Sequence, residues 1–104
     1  MRKLRAIVKR SDEDYGHMTN ISASLENLQK IVGGYIEMVS LQSVAPGLVI
    51  ICNEEGKIKE LPFNMRIPGD VLVGDIIVIG TKGEELDDIP IEFARWKEFC
   101  RRLV

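Results

Sequence analysis

Two short runs of unbroken apolar residues, Leu48-Val-Ile-Ile-Cys52 and Ile76-Ile-Val-Ile79, constrain this chain more than any other feature. A strand with one wet face alternates apolar and polar residues, so a run without alternation has to be covered on both sides. Both runs are too short for a helix and rich in β-branched residues, which pack well on a pleated surface. A chain of 104 residues has room for a single core. The two runs therefore belong at the centre of one sheet, in one domain over residues 1–104. We expect helices on one face of that sheet. Long loops or a second subunit are expected on the other face, and with them a homodimer.

The flanking segments supply the remaining elements. Residues 3–9 alternate charged and apolar character and end in the β-branched pair Ile7-Val8, which suits a strand. Ser11-Asp-Glu-Asp-Tyr-Gly16 is an acidic turn, after which residues 17–21 return as a hairpin. Leu25, Leu28, Ile31 and Val32 recur at helical spacing, with Ser22 or Ser24 as the cap and Gly33-Gly34 as the stop. Residues 35–41 read as a strand, leading to the loop breaker Ala45-Pro46-Gly47. Asn53-Glu-Glu-Gly56 reads as a turn returning a short strand at 57–59. A final helix is expected over 89–103, capped by Asp87 or Asp88, with Pro90 in its first turn. Its stripe is Ile89, Phe93, Trp96, Cys100 and Leu103, with Glu98 and Arg102 one turn apart on its surface. The expected fold is α+β, a single mostly antiparallel sheet with two helices in the order β-β-α-β-β-β-β-α.

Several kinds of chemistry lack the residues they need. One histidine, His17, and two separated cysteines cannot supply the three or four convergent ligands of a zinc site, so no metal or other cofactor is expected. Cys52 and Cys100 have apolar neighbours and read as buried free thiols, which suits a reducing compartment. Cys52 precedes Asn53-Glu54-Glu55, and carboxylates beside a thiol disfavour the thiolate. Glu54 and Glu55 are adjacent, so on a strand end they point apart. Gly33-Gly34 follows a helix and therefore cannot seat a phosphate on a helix N-terminus. No nucleophile, base and oxyanion stabiliser occur together, so no catalytic set is expected. The formal charge is −2, without the basic excess of a nucleic-acid binder. Two basic runs, Arg2 to Arg10 and Arg95 to Arg102, read as ordinary surface that could together face an anion. The apolar stretch after Met1-Arg-Lys-Leu-Arg5 is broken at once by Lys9 and Arg10. No secretory leader or membrane span follows, and the chain reads as cytoplasmic.

Residues 53–66 are locally unusual, with many donors and acceptors around Pro62 and Phe63. Asn64 carries both a donor and an acceptor, and Arg66 can grip a carboxylate or phosphate with two parallel N–H groups. The candidate ligand site is Asn53, Glu55, Asn64 and Arg66, joined by Tyr35 and Asp75.

The segments Leu28-Gln-Lys-Ile-Val-Gly-Gly-Tyr-Ile-Glu37, Cys52-Asn-Glu-Glu-Gly-Lys57, Leu61-Pro-Phe-Asn-Met-Arg66 and Gly74-Asp-Ile-Ile-Val-Ile-Gly80 resemble the family known as domain of unknown function 3846. Where that family carries a second proline and then Asn followed by a basic residue, this chain has Phe63 and Met65 in the intervening places. The resemblance implies a small protein of a phage, plasmid or other mobile element in a bacterial cytoplasm, and it implies no reaction. The expected function is non-enzymatic binding of a small anionic or nucleotide-like ligand. The alternative is an interaction module that binds or inhibits a host protein.

Overall fold

A computed structural model describes residues 2–102. In chain order the elements are β1 (Lys3–Lys9), β2 (His17–Ser22), α1 (Leu25–Val32), β3 (Ile36–Ser40), β4 (Leu48–Asn53), β5 (Phe63–Ile67), β6 (Asp70–Val73), β7 (Ile76–Lys82), β8 (Glu85–Asp87) and α2 (Phe93–Arg102). Two strands, a helix, a run of strands and a closing helix follow one another as expected, and every pairing is antiparallel.

The two apolar runs pair at the centre. β4 lies beside β7, with Leu48 opposite Gly80 and Ile51 opposite Ile77. The sheet order is β2-β1-β7-β4-β3, with β8 paired to the end of β7, and β5 and β6 form a separate two-stranded sheet. Side chains of a strand alternate between faces, and here both sets meet apolar cover. Val49, Ile51, Ile77 and Ile79 pack with Leu4, Ala6 and Val8 under Leu28 and Val32 of α1. Leu48, Ile50, Ile76 and Val78 pack with Ile7 under Trp96 of α2 and under Met65, Ile67 and Leu72 of the β5–β6 hairpin. Each aliphatic side chain buried in this way contributes about 1.5–3 kcal/mol, so this double layer is the main source of stability.

That arrangement corrects the expectation of helices on one face only. One helix covers each face, the hairpin completes the second, and the central strands need no second subunit as a lid.

Local chemistry explains the element ends. The Ser24 hydroxyl accepts from Asn27 N at 3.2 Å and caps α1, and Gly33 closes it at φ 83°. Leu25, expected on the apolar stripe of α1, is exposed. The strand expected at 57–59 is instead a coiled turn. Lys59 N donates to Glu55 O, and Leu61 N to Gly56 O, closing the turn with Glu60 at φ 54°. The final helix starts at Phe93 because residues 88 and 89 are tied to β1 and the chain bends at 90 and 91. Arg5 N donates to Asp88 Oδ1 at 2.8 Å, and Ile89 N donates to Arg5 O at 2.8 Å. Asp88 therefore holds β1 and does not cap the helix, and Pro90 lies before it. Gly80 accommodates this crossing, since a Cβ there would collide with Asp88 O. Leu103, the last residue of the expected stripe, lies outside the described residues. Among those residues no helix is long and apolar enough to cross a membrane.

Candidate functional site

β1 carries a polar group into the interior. Ile7 and Lys9 share one face of the strand, and Ile7 is in the core. Lys9, two residues on, is only 2% exposed. A buried ammonium needs hydrogen-bond acceptors, and the β5–β6 hairpin supplies them. Phe63 pairs with Val73 and Met65 with Leu72, so Asn64 is an extra residue that bulges out of the ladder. A bulge re-aims a side chain, and here it turns the Asn64 amide inward. Lys9 Nζ donates to Asn64 Oδ1 at 2.7 Å and to Asn64 O at 3.3 Å. In return Asn64 Nδ2 donates to Lys9 O at 3.0 Å and to Gly74 O at 2.8 Å. Gly74, at φ 74°, makes the tight connection between β6 and β7 that presents this carbonyl.

This pair floors a cleft of about 470 Å³. One wall is the β1–β2 loop, with Ser11, Asp12, Glu13 and Asp14, and the other is β5, with Phe63 and Arg66. Cys100 of α2 also reaches it. Phe63 is 55% exposed and Arg66 is exposed, while Asn64 and Met65 between them are buried. The loop is fastened at both ends. Ser11 N donates to Asp75 Oδ1 at 3.1 Å, Arg10 pairs with Asp75 at 3.4 Å, and Arg10 N donates to Glu13 Oε1 at 2.8 Å. At its far end Trp96 Nε1 donates to Tyr15 O at 3.0 Å. The cleft is thus formed before any ligand arrives, which lowers the entropy lost on binding.

Electrostatically the cleft is mixed. Burial holds Lys9 below the ordinary lysine value, with Cys100, Asp14 and Glu13 acting against that shift. Burial likewise pushes the Cys100 thiol up to about 11. It pushes Cys52 to about 11 as well, helped by Glu37 and Asp70. Both thiols are therefore protonated and poorly nucleophilic near neutral pH. Among the described residues no three His, Cys, Asp or Glu side chains gather as a metal set.

The six residues singled out in the sequence are divided by the structure. Asn64 and Arg66 line the cleft, and Asp75 holds its loop. Asn53 lies elsewhere, beside a hollow of about 130 Å³ with Glu54 and Lys57. Its amide is occupied by Val32 O and Glu55 N, which fasten the end of α1 to the following turn. Glu55 faces Lys59 at 3.7 Å. Tyr35 is exposed just before β3, and its carbonyl accepts from Glu54 N. His17 is exposed, 3.7 Å from Glu13. Sequence reasoning missed Lys9, the acidic loop and Phe63 as parts of one site. The signal for Lys9 was its place two residues after Ile7, on the face of β1 that a core isoleucine marks as internal.

A family model described as a domain of unknown function (DUF3846) matches residues 2–102. Searches of the curated proteins and of the solved structures found no match.

Proposed function

We propose that this chain, which belongs to the DUF3846 family, is a non-enzymatic binder of a small nucleotide-like ligand, held in the cleft between the β1–β2 loop and β5. One observation carries the reading: an exposed aromatic ring, Phe63, and an exposed guanidinium, Arg66, flank a buried lysine ammonium in a preformed cleft. A planar ring stacks against Phe63, an anionic group pairs with Arg66, and an acceptor atom meets Lys9. The three carboxylates of the loop disfavour a compact, purely anionic ligand and suit one that also carries amino donors. Absence of chemistry is part of the proposal, because burial keeps both thiols protonated near neutral pH. Those thiols also fit the reducing cytoplasm of a bacterium, with a mobile element as the source of the protein.

The test is a thermal-shift panel of nucleosides and nucleotides on the wild-type chain, Arg66→Ala and Phe63→Ala. The reading expects at least one compound to raise the melting temperature of the wild type, with the rise lost in both variants. A flat response across the panel removes it.

The edge strand β3 favours a second reading, an interaction module for a host protein. Tyr35 and Met38 are exposed there, and an edge strand can accept another strand. Under this reading Met38→Lys abolishes capture of one defined host protein while leaving the thermal-shift panel unchanged.

A further inference from the structure

Arg95 and Arg102, in the second basic run, take no part in the cleft described above. Arg95, Glu98, Phe99 and Arg102 recur at helical spacing on one face of α2, and they line a different cleft of about 510 Å³. The 41–47 loop contributes Ser43 and Val44 to it, and the β5–β6 turn contributes Pro68. The charge balance here is opposite to that of the first cleft, with two arginines against a single glutamate. The wall between them is apolar, built from Phe99, Val44 and Pro68. The geometry points to a second, separate binding site on α2 for a small amphipathic anion, a carboxylate or phosphate group carried on an apolar body.

Arg95 is the anchor. Its Nη2 donates to Val44 O at 2.5 Å, which orients the guanidinium at the lip of the cleft. A guanidinium has five N–H donors in a fixed fork, so one bond to a carbonyl leaves paired donors for an oxyanion. Arg102 sits two turns along the helix, about 10.5 Å by helical rise, so its long side chain has to lean toward Arg95 to meet the same anion. Its own partner, Glu98 at 2.9 Å, is a surface pair exposed on both sides, and such pairs hold little energy. Arg102 therefore contributes attraction and can turn toward the ligand. Phe99 lies one turn beyond Arg95, and its ring is packed against Trp96 with centroids 5.5 Å apart. An anionic head on Arg95 consequently places an apolar body over a fixed aromatic wall, a combination that neither charge nor hydrophobicity alone would select.

The probe is 8-anilinonaphthalene-1-sulfonate, an anion on an aromatic body, titrated by fluorescence into the folded chain with far-UV circular dichroism as the fold control. The expected result is saturable binding at one site, weakened about tenfold or more in Arg95→Ala, as loss of a charge-assisted contact predicts. Arg95→Lys, which keeps the charge and loses the fork, should fall between the two. Arg66→Ala, in the first cleft, should leave binding unchanged. Displacement by octanoate identifies a carboxylate site, and displacement by octyl phosphate a phosphate site. The proposal is overturned by failure of both to displace the probe, by wild-type affinity in Arg95→Ala, by loss in Arg66→Ala, or by equal binding of the uncharged N-phenyl-1-naphthylamine.

Discussion

Replacing Asn64 with alanine should destabilise the fold far more than deleting an ordinary hydrogen-bonding side chain. A typical intramolecular hydrogen bond contributes about 0.5–1.5 kcal/mol net, but a buried group left without a partner costs about 1–3 kcal/mol. Asn64→Ala removes three bonds at once: those from Nδ2 to Lys9 O and to Gly74 O, and that from Lys9 Nζ to Oδ1. It leaves two buried carbonyls without this donor and a buried ammonium with one long contact, 3.3 Å to Asn64 O. Water entering from the cleft offsets part of this, so the expected loss is about 2–4 kcal/mol, mostly from the ammonium bond and the two carbonyls left without their donor. Lys9→Met should cost less, about 1–2 kcal/mol, because it removes the charge together with its desolvation and takes a donor from Asn64 Oδ1 and, at longer range, from Asn64 O. The double variant Lys9→Met/Asn64→Ala should then be more stable than the sum of the single changes by over about 1 kcal/mol. Urea unfolding followed through Trp96, the one tryptophan and fully buried, reads all three. A loss below about 1 kcal/mol in Asn64→Ala, or additive single effects, would refute the view that Lys9 and Asn64 form one unit.

Two further outcomes follow from the packing. Each buried thiol has its pKa raised from 9.0 to about 11; its contribution is whole below pH 9 and is lost as pH rises through 11, by up to about 2–3 kcal/mol. Urea midpoints at pH 8.5 and 11 should therefore differ less in Cys100→Ala than in the wild type, and an equal difference would contradict the burial. Lys9, held low, acts in the opposite direction in both proteins, and more strongly in the variant, which lacks the Cys100 charge that raises it. The strand order ends in β2 on one side and β3 on the other, and the exposed Met38 marks β3 as the edge through which a homodimer would form. Sedimentation should then show association that Met38→Lys removes, and dimers persisting in that variant would place the contact elsewhere.

The fold was legible wherever local pattern and tertiary need agree. The unbroken runs in β4 and β7 announced two-sided burial, and the spacing of Leu28 and Val32 between Ser24 and Gly33 marked α1. Errors arose where long-range contacts decide. Residues 88–91 carry a cap residue and a proline suited to a first helical turn, yet hydrogen bonds to Arg5, more than 80 residues away, hold Asp88 and Ile89 to β1 instead. The β5–β6 hairpin was hidden because Asn64 interrupts its alternation, although Pro68-Gly69 marked the turn. That same bulge is why half of the candidate site could be read. Asn64 and Arg66 stood out by composition, whereas Lys9 looked like one more charge on a surface strand. Asn53 misled for a related reason, since an amide suited to a ligand is equally suited to fastening a helix end.

The cleft is best interrogated by ¹H–¹⁵N correlation spectra recorded while the nucleotide that most raises the melting temperature is titrated into the labelled chain. Binding in the proposed place shifts the amides of Ser11 to Asp14 and of Phe63 to Arg66 together, along one saturation curve, and leaves those of Arg95 and Glu98 in place. Shifts confined to α2, or spread without saturation over the surface, would mean that Lys9 and Asn64 are a structural bridge and the space above them holds only solvent.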